Sequence, residues 1–133
     1  MFTGGCLCGR VRYESSGEPL FSVFCHCRDC QRTSGTGGVP VMGVPKASFR
    51  VVGETKSYRT LGGSQKQAVR NFCANCGSLL FGTPEVIPDV VTIYVGSLDD
   101  LSHFTPEHAM FTRDRPEWCR LKTELPEHET VPK

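Results

Sequence analysis

No stretch of this 133-residue chain approaches the roughly 18 consecutive apolar residues of a membrane span, so no membrane partner is expected. Neither sign of charge is in excess: 15 Lys and Arg face 14 Asp and Glu, for a formal net charge of +1. Without a basic stripe, nucleic acid is not an expected partner, because phosphate contacts need a cationic face. The opening residues, Met1-Phe2-Thr3-Gly4-Gly5-Cys6, lack the basic segment and apolar run of a secretion signal. The expected location is therefore the cytoplasm, where thiols stay reduced. Internal repeats, low-complexity tracts and linkers are also missing, and residues 1–133 are read as one domain, large enough to bury a core without covalent staples. Nothing in the chain sets an oligomeric state.

What the sequence does have is 8 cysteines, 14 glycines and 9 prolines. Seven of the cysteines are clustered, as Cys6-Leu7-Cys8, Cys25-His26-Cys27-Arg28-Asp29-Cys30 and Cys73-Ala74-Asn75-Cys76, and Cys119 stands apart. A disulfide across one intervening residue is strained, since its sulfur geometry is hard to reach over so short a span. The same closeness suits a zinc ion about 2.3 Å from each of four tetrahedral ligands.

Around these clusters the chain reads as short strands. Expected strands are Arg10 to Glu14, Phe21 to Phe24, Val39 to Val44, Phe49 to Val52, Thr55 to Arg59, Ala68 to Phe72, Ser78 to Phe81 and Val90 to Val95. The last is the most continuously apolar, which predicts a central place in the sheet. Gly62-Gly63-Ser64 and Pro84 to Pro88 are turn signals, and only Arg28 to Thr33 and parts of the tail after Asp99 suit a helical turn. The fold class is mostly antiparallel β with metal-binding knuckles at strand ends.

The C-x-C and C-x-x-C pairs make one closed site if Cys6, Cys8, Cys73 and Cys76 converge. Gly5, Gly9 and Gly77 beside them let backbone N–H groups turn toward the sulfurs. Cys25, Cys27 and Cys30 are then three ligands without a fourth, the composition of an open site with one exchangeable position. In an extended segment His26 points opposite to both neighbours and is expected to face the core or a supporting partner. Cys119 either closes this site or is a buried small hydrophobe beside Trp118. Spacing alone equally permits a zinc ribbon of Cys27, Cys30, Cys73 and Cys76, leaving Cys6, Cys8 and Cys25 over.

At these residues the chain resembles the family of glutathione-dependent formaldehyde-activating enzymes, which also includes the centromere protein V proteins. The likeness runs through Gly5-Cys6-Leu7-Cys8-Gly9 and the segment Cys25 to Gly35, then Phe72-Cys73-Ala74-Asn75-Cys76-Gly77-Ser78-Leu79-Leu80. It continues through Gly96-Ser97-Leu98-Asp99, Pro106-Glu107-His108 and Trp118. The resemblance implies a β-tent fold of antiparallel sheets around zinc. By matching position, Cys6, Cys8, Cys73 and Cys76 would hold a structural zinc. Cys25, Cys27 and Cys30 would hold a second, its fourth position left to water or a substrate thiol. It further implies a carbon–sulfur lyase that joins glutathione and formaldehyde into S-hydroxymethylglutathione and reverses that step.

Arginines near such a site would hold the carboxylates of glutathione, and Arg28 and Arg32 are the candidates, with Gln31 and Ser34 supplying hydrogen bonds. Asp99 and His108 are candidates for moving protons, Trp118 is expected in the core where it can line a pocket, and Phe72 and Phe81 are expected to be packing residues. The competing class is a domain with two structural ions that binds a protein or nucleic-acid partner. A dithiol redox role for Cys27 and Cys30 conflicts with zinc occupying both sulfurs.

Overall fold

Period-two alternation in the middle strands decides how this chain folds. The computed structural model describes residues 1–63, 65–120, 126, 128–130 and 132. Ten strands form in order: β1 Phe2–Gly5, β2 Arg12–Ser15, β3 Phe21–Cys25, β4 Val39–Pro45, β5 Phe49–Val52, β6 Thr55–Leu61, β7 Gln67–Cys73, β8 Leu79–Gly82, β9 Val90–Tyr94 and β10 His108–Met110. One α-helix, α1, spans Arg28–Ser34. Strands β1, β2 and β5 make a small antiparallel sheet, and the rest make a seven-stranded sheet in the order β10-β3-β4-β9-β8-β7-β6.

The mostly β class holds, and β9 lies at the centre of the large sheet as its apolar run predicts. Alternate residues of β4 and β9 face opposite sides. Met42, Val44, Val91 and Ile93 join Phe2, Val11, Tyr13, Leu80 and Phe81 in a core beneath the small sheet. Val41 joins Val23, Val39, Cys25 and Cys30 in a second cluster, with Phe21 and Tyr94 against it. Each fully buried side chain such as Met42, Leu80 or Ile93 contributes about 2–3 kcal/mol through burial.

Two strands are absent from the sequence-based expectation. Phe2–Gly5 is held by pairing with β2, from Phe2 opposite Ser15 to Gly5 opposite Arg12, and by a bridge from Gly4 to Leu98. His108–Met110 lies in the tail, where only helical turns are expected, and pairs parallel to β3 with Met110 opposite Cys25. That parallel pair makes the large sheet mixed rather than wholly antiparallel. Both short strands owe their form to tertiary partners, which local propensity does not report. The first expected strand begins late, at Arg12, because residues 7–10 turn around the first cysteine pair. The helical turns after Asp99 occur as short 3-10 turns at Leu101–His103, Thr112–Asp114 and Glu117–Cys119.

The tight turn at Gly53 between β5 and β6 admits only glycine. Its φ is +109°, and a methyl group there would collide with the Arg10 carbonyl oxygen. Gly53→Ala is expected to cost about 2–3 kcal/mol, read as a lower urea midpoint with an unchanged m-value. An unchanged midpoint would mean that the turn re-forms without strain.

Candidate metal centres and the cavity between the strands

The first sulfur set grows from two turns. Residues 6–8 follow β1, and residues 73–76 close β7. Gly9 and Gly77 take the left-handed conformation, with φ of +81° and +77°. The chain can then fold its amides onto sulfur: Val11 N–H donates to Cys6 Sγ at 3.2 Å, and Asn75 and Cys76 N–H donate to Cys73 Sγ at 3.3 and 3.4 Å. The sulfurs of Cys6 and Cys8 lie 3.5 Å apart, and those of Cys8 and Cys73 lie 3.8 Å apart. A disulfide is about 2.05 Å long, whereas the sulfur–sulfur edge of a tetrahedral zinc site with bonds of about 2.3 Å is about 3.8 Å. The four atoms therefore fit a closed zinc site, all lying within 4.8 Å of one another. The Ser78 hydroxyl, 3.2 Å from Cys76 Sγ, helps lower that thiol to about 5, which favours the thiolate that a metal needs.

The second set is built where β3 runs into α1. Cys25 ends the strand, Cys27 is the N-cap of the helix, and Cys30 sits in its first turn. Cys30 N–H donates to Cys27 Sγ at 3.3 Å. The three sulfurs also lie within 4.8 Å of one another, with Cys25 and Cys30 buried. Hydrogen bonds from Cys25 and Cys30 lower Cys27, and the contacts with Cys27 and Cys30, followed by burial, raise Cys25. Contact with Cys25 acts to lower Cys30, but Cys27 and burial outweigh it and raise that thiol. This donor set fits a metal held by three protein ligands.

Chain geometry supports the knuckle from behind. His26 is buried, and its Nδ1–H donates to the Gly37 carbonyl at 2.9 Å, so its side chain leaves the sulfurs as strand alternation predicts. Buried Gln31 donates from Nε2 to the carbonyls of His26 and Asp114, at 2.8 and 2.9 Å. The structure thus brings Cys6, Cys8, Cys73 and Cys76 into one group and Cys25, Cys27 and Cys30 into another, and the ribbon pairing does not form. Cys119 joins neither group; it is half-buried, with its sulfur against Gly37. Trp118, expected in the core, is 74% exposed, with its ring edge against Gly37. It sits in the 3-10 turn Glu117–Cys119 that follows β10, whereas Phe81 is core as expected and Phe72 is half-buried.

Beside the three sulfurs lies a cavity of about 240 Å³. It opens on the face of β4 and β9 opposite the main core, so Val41, Thr92 and Tyr94 line it while Met42, Val91 and Ile93 do not. Arg70 of β7 enters the same space. Arg70 is 7% exposed, Nη2 donates to Cys30 Sγ at 3.8 Å, and Nε has no hydrogen-bond partner among the described residues. Burial opposes its charge, but Tyr94 and the thiols of Cys30 and Cys27 outweigh this and raise its pKa. Burial pushes the Tyr94 hydroxyl up to about 12, so it remains a proton donor at neutral pH. Sequence reasoning missed both residues. Arg70 reads as an ordinary polar position in a half-exposed strand, and its only local signal is its place three residues before Cys73.

The sequence-predicted polar candidates lie elsewhere. Arg28 and Arg32 are exposed on α1, Arg28 donates to Gln31 Oε1, and neither lines the cavity. Ser34 bonds the carbonyl of Cys30 at 2.7 Å. Asp99 pairs with Arg12 and accepts from Thr3 Oγ1, contacts that hold its carboxyl below the usual range. His108 lines a surface groove with His26, Glu107, Arg115 and Cys119, outside the cavity. No helix among the described residues is long and apolar enough to cross a membrane.

The family model described as glutathione-dependent formaldehyde-activating enzyme matches residues 1–114. A crystal structure of a Rhodobacter sphaeroides protein is similar in fold, with a TM-score of 0.59 at 22% identity, over 73% of this chain and 87% of that one.

Proposed function

As the chain belongs to the family of glutathione-dependent formaldehyde-activating enzymes, we propose that it is a carbon–sulfur lyase acting on the adduct of a thiol such as glutathione with a small aldehyde such as formaldehyde. The observation that supports this reading is the contrast between the two sulfur groups: four cysteines close one, and three cysteines open the other onto a cavity. Zinc is the metal whose preferences match both, with Cys6, Cys8, Cys73 and Cys76 as structural ligands and Cys25, Cys27 and Cys30 as the reactive set. Bound there, zinc would supply Lewis acidity that favours the thiolate form of an incoming thiol at neutral pH.

The chain's own residues account for the rest. In the synthetic direction the thiolate sulfur adds to the carbonyl carbon, the π pair moves to oxygen, and that oxygen takes a proton. Carbon–sulfur cleavage is the reverse. Tyr94, protonated and lining the cavity beside the three cysteines, is a hydroxyl that can donate to that oxygen. Arg70 offsets the negative charge that three thiolates and an incoming fourth accumulate. Arg28 and Arg32 lie outside the cavity lining, so a role for them falls on the part of a peptide thiol that stays outside it.

Zinc X-ray absorption with and without glutathione tests the reading. The average sulfur count around zinc is expected to rise on adding glutathione. With Arg70→Met, reaching the same change is expected to take tenfold or more glutathione. Unaltered zinc coordination at saturating glutathione would overturn the proposal and favour the domain with two structural ions.

A further inference from the structure

The cavity at the three cysteines is larger and more apolar than formaldehyde requires. Formaldehyde has one carbon and one oxygen, which fill on the order of 30–60 Å³ on the scale of a water molecule's share of liquid. The cavity holds about 240 Å³, room for several more carbons. Phe21, Val41, Ala68, Ile87, Met110 and Phe111 supply its apolar wall, and Arg70 and Asp29 are the charged groups that line it among the described residues. The peptide part of glutathione does not suit this wall, because its amides and carboxylates would be buried with few partners. The space therefore suits the other half of the adduct.

We infer that the aldehyde handled at this site carries a compact hydrocarbon tail, and that the tail occupies this cavity while the glutathione peptide stays outside it. The inference rests on the reading that a thiol binds at the three-cysteine site. It assigns specificity to the wall residues, with Ala68 on β7 as the position where a larger side chain would fill the space.

S-Alkylglutathiones test it without turnover, because the alkyl group on sulfur stands for the carbon skeleton of the adduct. Calorimetric titration of the zinc-loaded protein is expected to show affinity rising from S-methyl through S-propyl to S-pentylglutathione. Full burial gives roughly threefold to fourfold per methylene, so a total gain of tenfold or more is expected. Ala68→Phe is expected to bring the S-pentyl compound down to the S-methyl level while S-methyl affinity and zinc content stay unchanged. Ala68→Leu, a smaller change that the half-buried strand position tolerates more readily, is expected to remove part of the gain. Equal affinity across the alkyl series, with glutathione itself still bound, would overturn this inference and leave the proposed function standing. So would an Ala68 substitution that weakened every member equally. Failure of glutathione and of every alkyl derivative to bind would overturn both.

Discussion

Cys73→Ser is expected to leave a chain that does not fold. Cys73 is 1% exposed at the end of β7, accepts two backbone N–H groups, and lies 3.8 Å from the sulfur of Cys8. Serine could accept the same amides, so the loss would come from the metal. A structural zinc supplies about 10–16 kcal/mol in zinc-finger peptides, as much as or more than the net stability of about 5–15 kcal/mol that a domain retains. The four-cysteine group ties the turn after β1 to the turn after β7, and the small sheet covers the main core from that end. Without the ion, Phe2, Val11 and Tyr13 lose the anchor that holds them over Met42 and Ile93. Circular dichroism through a urea titration, with zinc measured per chain, checks this. A cooperative transition near the wild-type midpoint would remove the structural role from this site.

Cys27→Ser is expected to do the opposite: keep the fold, lose the second ion, and lower turnover about a thousandfold or more. Cys27 is the N-cap of α1, and its sulfur accepts the Cys30 N–H. Serine is among the best N-cap residues, so the helix start is preserved, and the half-buried position tolerates the smaller side chain. Cys30→Ser is a less clean variant, because Cys30 is buried and also receives the Arg70 hydrogen bond. Lewis-acid stabilisation is worth several kcal/mol, and each 1.36 kcal/mol is tenfold in rate, hence the expected loss. Elemental analysis and the rate of adduct formation from glutathione and an aldehyde give the readout. A protein that unfolds with this change would place both ions in structural roles, and unchanged turnover would move the chemistry away from these cysteines.

Much of the fold was legible because alternation and turn residues are local signals. Phe49–Val52 matches its expected bounds, and the expected strands from Phe21 onward each recur within two residues at their ends. Phe2–Gly5 and His108–Met110 were not legible, since each is a strand only through pairing with β2 or β3. Trp118 illustrates the same limit from the other side. A lone Trp reads as core, yet the segment that carries it runs along the outside of the molecule.

The sequence by itself determined the sulfur inventory: which cysteines are close neighbours, which glycines let their turns form, and that three remain once four are paired. Those features depend on spacing of a few residues and on backbone freedom at Gly9 and Gly77, both of which are local. Only the tertiary structure decided which clusters meet. It alone placed Arg70 and Tyr94 beside Cys30 and left Arg28 and Arg32 outside the cavity. The physical reason is that a strand's alternation says which residues share a face but not which face meets which. Val41, Arg70, Thr92 and Tyr94 come from three strands distant in sequence. They line one cavity because β4, β9, β8 and β7 lie in that order and Gly82, between them, adds no side chain to fill the space.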